Sequence, residues 1–96
     1  MQAVIRTYSG EGAGPLFDFL DQRKVDIEAL IRAVPGFVGY ALIRTADGGV
    51  SVTICQDKAG TDASIRIAAD WIRQNAPTFG SRPPAVSEGS VILHLS

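Results

Sequence analysis

The chain carries a single cysteine, a single histidine and a single tryptophan among its 96 residues. One cysteine excludes an internal disulfide, and with one histidine beside it there is no donor set for a structural zinc; no metal and no cofactor is expected. An excess of positive charge is also missing. Nine Lys and Arg stand against ten Asp and Glu, a net charge of −1, so no basic surface is available for a phosphate backbone and no nucleic-acid partner is expected. The sequence has no apolar run of about 18 residues or more that could span a bilayer, so no membrane partner is expected. The N-terminal segment, with Arg6, Tyr8 and Ser9, lacks the apolar stretch of a signal peptide. With 46% hydrophobic and 20% charged residues the composition is that of a folded chain, and its length suits one domain, 1–96, around one core. These exclusions point to a small cytoplasmic protein.

What is present reads as strand, helix, strand, strand, helix, strand. Residues 3–8 are rich in β-branched and aromatic side chains, as strands are. They run into Ser9-Gly10-Glu11-Gly12-Ala13-Gly14, too glycine-rich to stay extended. Pro15 suits a first helical turn, and Leu16, Leu20, Ile27, Leu30, Ile31 and Val34 recur at helical spacing until Pro35-Gly36. A break is expected around residues 21–26. Residues 37–45 and 50–57 flank Ala46-Asp47-Gly48-Gly49, and a type I′ turn centred on Asp47 and Gly48 predicts a hairpin. That register sets Ile43 opposite Val52 and Ala41 opposite Ile54 on a core face. Leu42 opposite Thr53 and Tyr40 opposite Cys55 then lie on a mixed outer face. Thr61 is the expected cap of a second helix, with Ile65, Ala68, Ala69, Ile72 and Ala76 as its buried stripe and Pro77 as its stop. A loop over 78–84 leads to a last strand over 86–95, with a bulge at Glu88-Gly89 as an option. Two β-α-β halves of this kind make an α+β, ferredoxin-like fold, an antiparallel sheet with both helices on one face. The helix-free face, bearing Val38, Tyr40 and Leu42 in this register, needs a cover, and a second copy of the chain is the simplest.

Several residues are candidates for chemistry. The glycine-rich segment fits neither a dinucleotide fingerprint, which has glycine where this chain has Pro15, nor a Walker A loop; a mobile lid over a cavity mouth is the milder reading. Trp71 lies off the buried stripe beside Ile67, where its indole either packs or offers a ligand a rigid surface and one N–H donor. Arg23 falls among apolar positions of the first helix, where a guanidinium snorkels, pairs or meets an anion; Arg6 in the first strand shares that ambiguity. His94, in the last strand, is the only imidazole available as a general base. Cys55 reads as a small buried hydrophobe. No Ser-His-Asp set, Cys-His pair or carboxylate pair stands out.

Pro35-Gly36-Phe37-Val38-Gly39-Tyr40 leading into a hairpin, then a helix and a glycine-containing strand, resembles the antibiotic-biosynthesis-monooxygenase-like group of dimeric α+β barrels. The resemblance implies a homodimer joined through its open sheet faces, with a ligand cavity per subunit between sheet and helices. Its members include cofactor-free oxygenases, haem-degrading enzymes and isomerases. The haem-degrading branch has an aromatic late in the third strand and a histidine on the second helix, and neither has a counterpart here. The quinone-forming oxygenases hold phenolic substrates with Trp, Tyr, Asn and Arg side chains, types that Trp71, Tyr40, Asn75 and Arg23 supply. The expected ligand-binding set is therefore Trp71, Arg23, Tyr40, Asn75 and His94. Two functions fit: a homodimer binding a small molecule, as a cofactor-independent oxygenase or isomerase on an aromatic or polyketide-like compound, or a non-enzymatic ligand-binding or stress-associated dimer. An RNA-recognition domain shares the strand order but needs stacking aromatics on its central strands, and residues 50–56 have none.

Overall fold

The computed structural model describes residues 1–80 and 82–96. Its elements are β1 (Gln2–Ser9), α1 (Ala13–Gln22), α2 (Lys24–Arg32), β2 (Phe37–Thr45), β3 (Gly48–Cys55), α3 (Lys58–Asn75) and β4 (Ala85–Ser90). The strands form one antiparallel sheet in the order β2-β3-β1-β4. All three helices cover one face of it, α1 over β3, α2 over β2 and α3 over β1 and β3. This is the ferredoxin-like architecture expected from the sequence, with the first helix split as anticipated. At Arg23 the backbone leaves helical geometry, and its N–H is shared between the carbonyls of Phe19 and Leu20 at 3.2 and 3.1 Å. The break lets Leu16, Phe17 and Leu20 of α1 and Ile27 and Ile31 of α2 all reach the core.

The hairpin departs from expectation. Its connection is Ala46-Asp47, one residue earlier than predicted, and among the described residues only glycines have positive φ, so the type I′ turn is not formed. Thr45 pairs with Gly48, Leu42 with Ser51 and Tyr40 with Thr53, a register two residues away from the expected one. An irregularity between Phe37 and Gly39 brings Cys55 opposite Phe37 instead of Tyr40. The faces are inverted as well. Gly49 lies against the Phe17 ring, which any Cβ there would strike, so Gly49 faces the helices and Ser51, Thr53 and Cys55 follow it at the strand period. Their partners Tyr40 and Leu42 therefore lie beneath the helices, not on the outer face. The open face carries Ile5, Ile43, Val50, Val52 and Ile54 instead. The row with Ile43, Val50, Val52 and Ile54 and the mixed row with Tyr40, Leu42 and Cys55 could each face a core, and the close approach of Phe17 at a residue without a side chain decides which is covered.

Two boundaries are also corrected. Asp57, not Thr61, caps α3: its carboxylate accepts the Gly60 N–H at 3.1 Å, and the Thr61 hydroxyl donates to the Lys58 carbonyl at 3.1 Å within the first turn. Of the expected stripe, Ile65, Ala68, Ile72 and Ala76 are only half-buried and Ala69 is exposed, whereas Thr61, Ala63 and Ser64 near the start of α3 are buried. The last strand ends at Ser90, because Ser90 pairs with Gln2 and β1 offers nothing further; the Val91 N–H donates to the Met1 carbonyl at 3.0 Å. Pairing through Glu88 and Gly89 is regular, without a bulge. Residues 91–96 form a tail in which Ile92, Leu93 and Leu95 are exposed. Ser81, in the expected loop 78–84, lies outside the described residues. Among the described residues no helix is long and apolar enough to cross a membrane.

Candidate functional site

The covered face of the sheet is unusual in its polarity. A strand buried under helices ordinarily presents aliphatic side chains, but here β1 contributes Val4, Arg6 and Tyr8, and β3 contributes Ser51 and Thr53. Between this floor and the helices lies a small cavity of about 30 Å³. Arg6, Tyr8, Tyr40, Leu42 and Ser51 line it from the sheet, Leu20, Ile27, Leu30 and Ile31 from α1 and α2, and Ala68, Trp71 and Ile72 from α3. A groove of about 300 Å³ under α2 shares Ile27, Ile31, Tyr40 and Leu42 with it. On the other side, a wider groove of about 540 Å³ shares Arg6, Tyr8 and Ile72, and is completed by residues that include Arg73 and Arg82.

Arg6 dominates the electrostatics. It is 7% exposed, its Nη2 donates to the Tyr8 hydroxyl, and its guanidinium carbon stands 5.4 Å from the centre of the Tyr8 ring. Nε has no acceptor, and among the described residues no carboxylate pairs with this side chain. Burial pushes the Tyr40 hydroxyl up to about 12, against the pull of Arg6, and raises Tyr8 for the same reason. Both tyrosines are thus neutral hydrogen-bonding groups at ordinary pH and do not neutralise the cation.

Of the five residues expected to bind a ligand, Tyr40 and Trp71 line the cavity. Trp71 also packs on Phe19, ring centres 6.0 Å apart, and Phe19 on Phe79 at 6.1 Å. Arg23 sits at the α1–α2 break, stacked 5.3 Å from the Trp71 ring and paired with Asp26 at 2.7 Å. It braces the indole from outside the cavity. Asn75 is exposed on the last turn of α3, its amide donating to the Trp71 carbonyl at 2.9 Å, and it lines none of these spaces. His94 is in the tail and not in a strand; its Nε2 lies 4.0 Å from the place a Cβ on Gly39 would take, beside the open face and away from the cavity. Cys55 is fully buried, and burial raises its thiol further, as suits a packing residue. Tyr8, Ser51 and the α2 leucine and isoleucines were not singled out for the site from the sequence. The signal for Tyr8 was the period-two set Val4, Arg6, Tyr8, which becomes decisive only once the covered face is known.

The fold defined by this sheet and its helices is that of the monooxygenase-like α+β proteins, as the Pro-Gly-Phe and hairpin stretch indicated. The chain superposes on a haem-degrading protein from Mycobacterium tuberculosis solved with two haems in its active site, at TM-score 0.67 and 21% identity over 100% of both chains. It is similar to a protein of unknown function from Nitrosomonas europaea, at TM-score 0.70 and 19% identity, over 99% of this chain and 91% of that one. A monooxygenase from Streptomyces coelicolor in complex with nanaomycin D matches at TM-score 0.64 and 16% identity, over 99% of this chain and 89% of that one. No protein-family model and no curated protein matches the sequence.

Proposed function

We propose that the chain is a small-molecule-binding homodimer whose ligand enters between the sheet and the helices of each subunit. The observation that carries this is the buried polar floor of Arg6, Tyr8, Tyr40 and Ser51 beneath an otherwise apolar roof. A packing core gains nothing from a cation and three hydroxyls, whereas a binding site uses them for orientation. Solved neighbours that bind haem and nanaomycin D on the same fold support it. The cavity holds little more than a water or two, so an aromatic ligand needs it to widen into the adjoining grooves, under Ile27 and Ile31 on one side and beside Arg6 and Ile72 on the other. The second copy covers the open face, where Ile5 and Ile43 are 41% and 46% exposed.

Two chemistries fit inside this reading. Donors converging from Arg6 and the two tyrosines would hold the oxyanion of a phenolic or polyketide-like compound, which favours a cofactor-independent oxygenase or isomerase. Among the described residues the cavity lining contains no histidine and no carboxylate to act as a base near neutral pH, which favours a non-enzymatic binder. The same lack of histidine, on α3 as well as in the cavity, counts against haem as the substrate.

Trp71 is the only tryptophan and lines the cavity, so energy transfer from it to dansylamide, a neutral aromatic probe, tests the site. Saturable transfer that is lost on Leu42→Glu is expected; no transfer at any probe concentration contradicts the reading. Oxygen uptake with a dihydroxynaphthalene, absent with heat-denatured protein, separates the oxygenase from the binder.

A further inference from the structure

We propose that Arg6 makes the site selective for anions, so that the ligand is an aromatic carboxylate whose ring lies under Trp71 and whose carboxylate meets the Arg6 guanidinium from the side of the wider groove. This rests on the cavity being a ligand site and says which ligands it takes.

Arginine keeps its charge at every pH at which the protein is folded, and a buried unpaired charge is among the costliest features a core can hold. Structural arginines on a covered sheet face are ordinarily matched by a carboxylate. Here the side chain is more than nine-tenths buried, Nε is without an acceptor, and its one side-chain partner is a neutral hydroxyl. The Tyr8 bond fixes the guanidinium plane but leaves the charge uncompensated, and neither Tyr8 nor Tyr40 ionises to supply the missing negative charge.

Position adds to this. Arg6, Tyr8 and Ile72 belong both to the inner cavity and to the groove of about 540 Å³, so the guanidinium stands at the junction of the two. Arg73 and Arg82 lie further out on that groove, Arg73 held by Asp70 at 2.6 Å. A chain with net charge −1 overall thus lines one groove with three arginines. An anion is drawn toward Arg6 along this path, while the apolar roof of Leu20, Ile27, Leu30 and Ile31 takes the ring. The planar fork of an arginine suits a carboxylate, and charge-assisted hydrogen bonds are about twice as strong as neutral ones.

The test is calorimetric titration of the wild-type protein, Arg6→Met and Arg6→Gln with 2-naphthoate and with 2-naphthamide, its neutral counterpart of nearly equal shape. The Gln variant keeps a donor toward Tyr8 and serves if the Met variant fails to fold. Wild type is expected to bind the acid at least tenfold tighter than the amide, and either variant should bring the ratio close to one. Equal affinities in wild type, as when water alone satisfies Nε, overturn the anion proposal and leave the ligand cavity standing. A preference for the acid that survives both variants overturns the role of Arg6. Failure of naphthoate, naphthamide and dansylamide alike overturns both the proposal and the cavity reading on which it rests.

Discussion

At the level of single residues, the covered sheet face sets tight packing at one end against a polar floor in the middle. Gly49 accepts the Phe17 ring where a methyl group would collide with it, so Gly49→Ala is expected to cost about 1–3 kcal/mol, read as a lower urea midpoint at unchanged slope. Ile31, buried in the roof, behaves in the opposite sense for binding. Ile31→Ala should cost about 2–5 kcal/mol in stability but enlarge the cavity and tighten dansylamide, a pairing that a purely structural core would not give. Tyr40 supplies a pH signature. Its hydroxyl is raised from 10 to about 12 by burial, so the folded state holds that proton more firmly than the unfolded chain. The resulting stability is fully present below pH 10 and is lost as pH rises from 10 through about 12. Thermal melts across that window should fall, and Tyr40→Phe should flatten the fall in part, because Tyr8 is raised in the same direction and still contributes. The sequence suggested Tyr40 and Trp71 by residue type. It left Arg6 ambiguous, since a strand arginine is equally at home on either face until something outside the strand fixes which face is covered.

At the level of elements, the period-two and helical patterns were readable because each strand and helix buries one face. What sequence periodicity could not supply was the absolute face of the β2–β3 hairpin. Ala41, Ile43, Val50, Val52 and Ile54 form one apolar row and Tyr40 and Leu42 begin another, and both would satisfy a core. Asp47-Gly48 looked like a type I′ turn, yet Gly48 is spent as the first residue of β3, against the Tyr8 carbonyl and Ala13, so the turn falls one residue earlier. The start of α3 was misplaced for a similar reason. Asp57 and Thr61 are both good capping types, and Gly60, packed 2.7 Å from Cys55 Cβ at the position of its missing side chain, shows that the helix has already begun. Asp57→Ala should therefore cost about 1 kcal/mol, whereas Asp57→Asn, which keeps an acceptor for the Gly60 N–H, should be close to neutral. Chemical denaturation of the two variants side by side decides whether Asp57 is the cap.

For the whole molecule, the sheet divides the work between its faces: polar side chains and a cavity beneath the helices, aliphatic side chains on the open side. The ferredoxin-like layout followed from the sequence, but the open row did not: Tyr40 and Leu42 lie beneath the helices, and Ile5, Ile43, Val50, Val52 and Ile54 form the uncovered side. Leu42 lines the cavity, so a charge there should abolish probe binding without dividing a dimer, whereas Ile5 lies on the open face that the proposed second copy would cover. The tail brings His94 beside Gly39, and its Ile92, Leu93 and Leu95 are exposed. The most direct measurement is native mass spectrometry of the wild-type chain, Ile5→Glu and Leu42→Glu at micromolar concentration. The two-faced arrangement requires twice the single-chain mass for wild type and Leu42→Glu, and the single-chain mass for Ile5→Glu. A wild-type monomer, or a dimer divided by Leu42→Glu and untouched by Ile5→Glu, would contradict it.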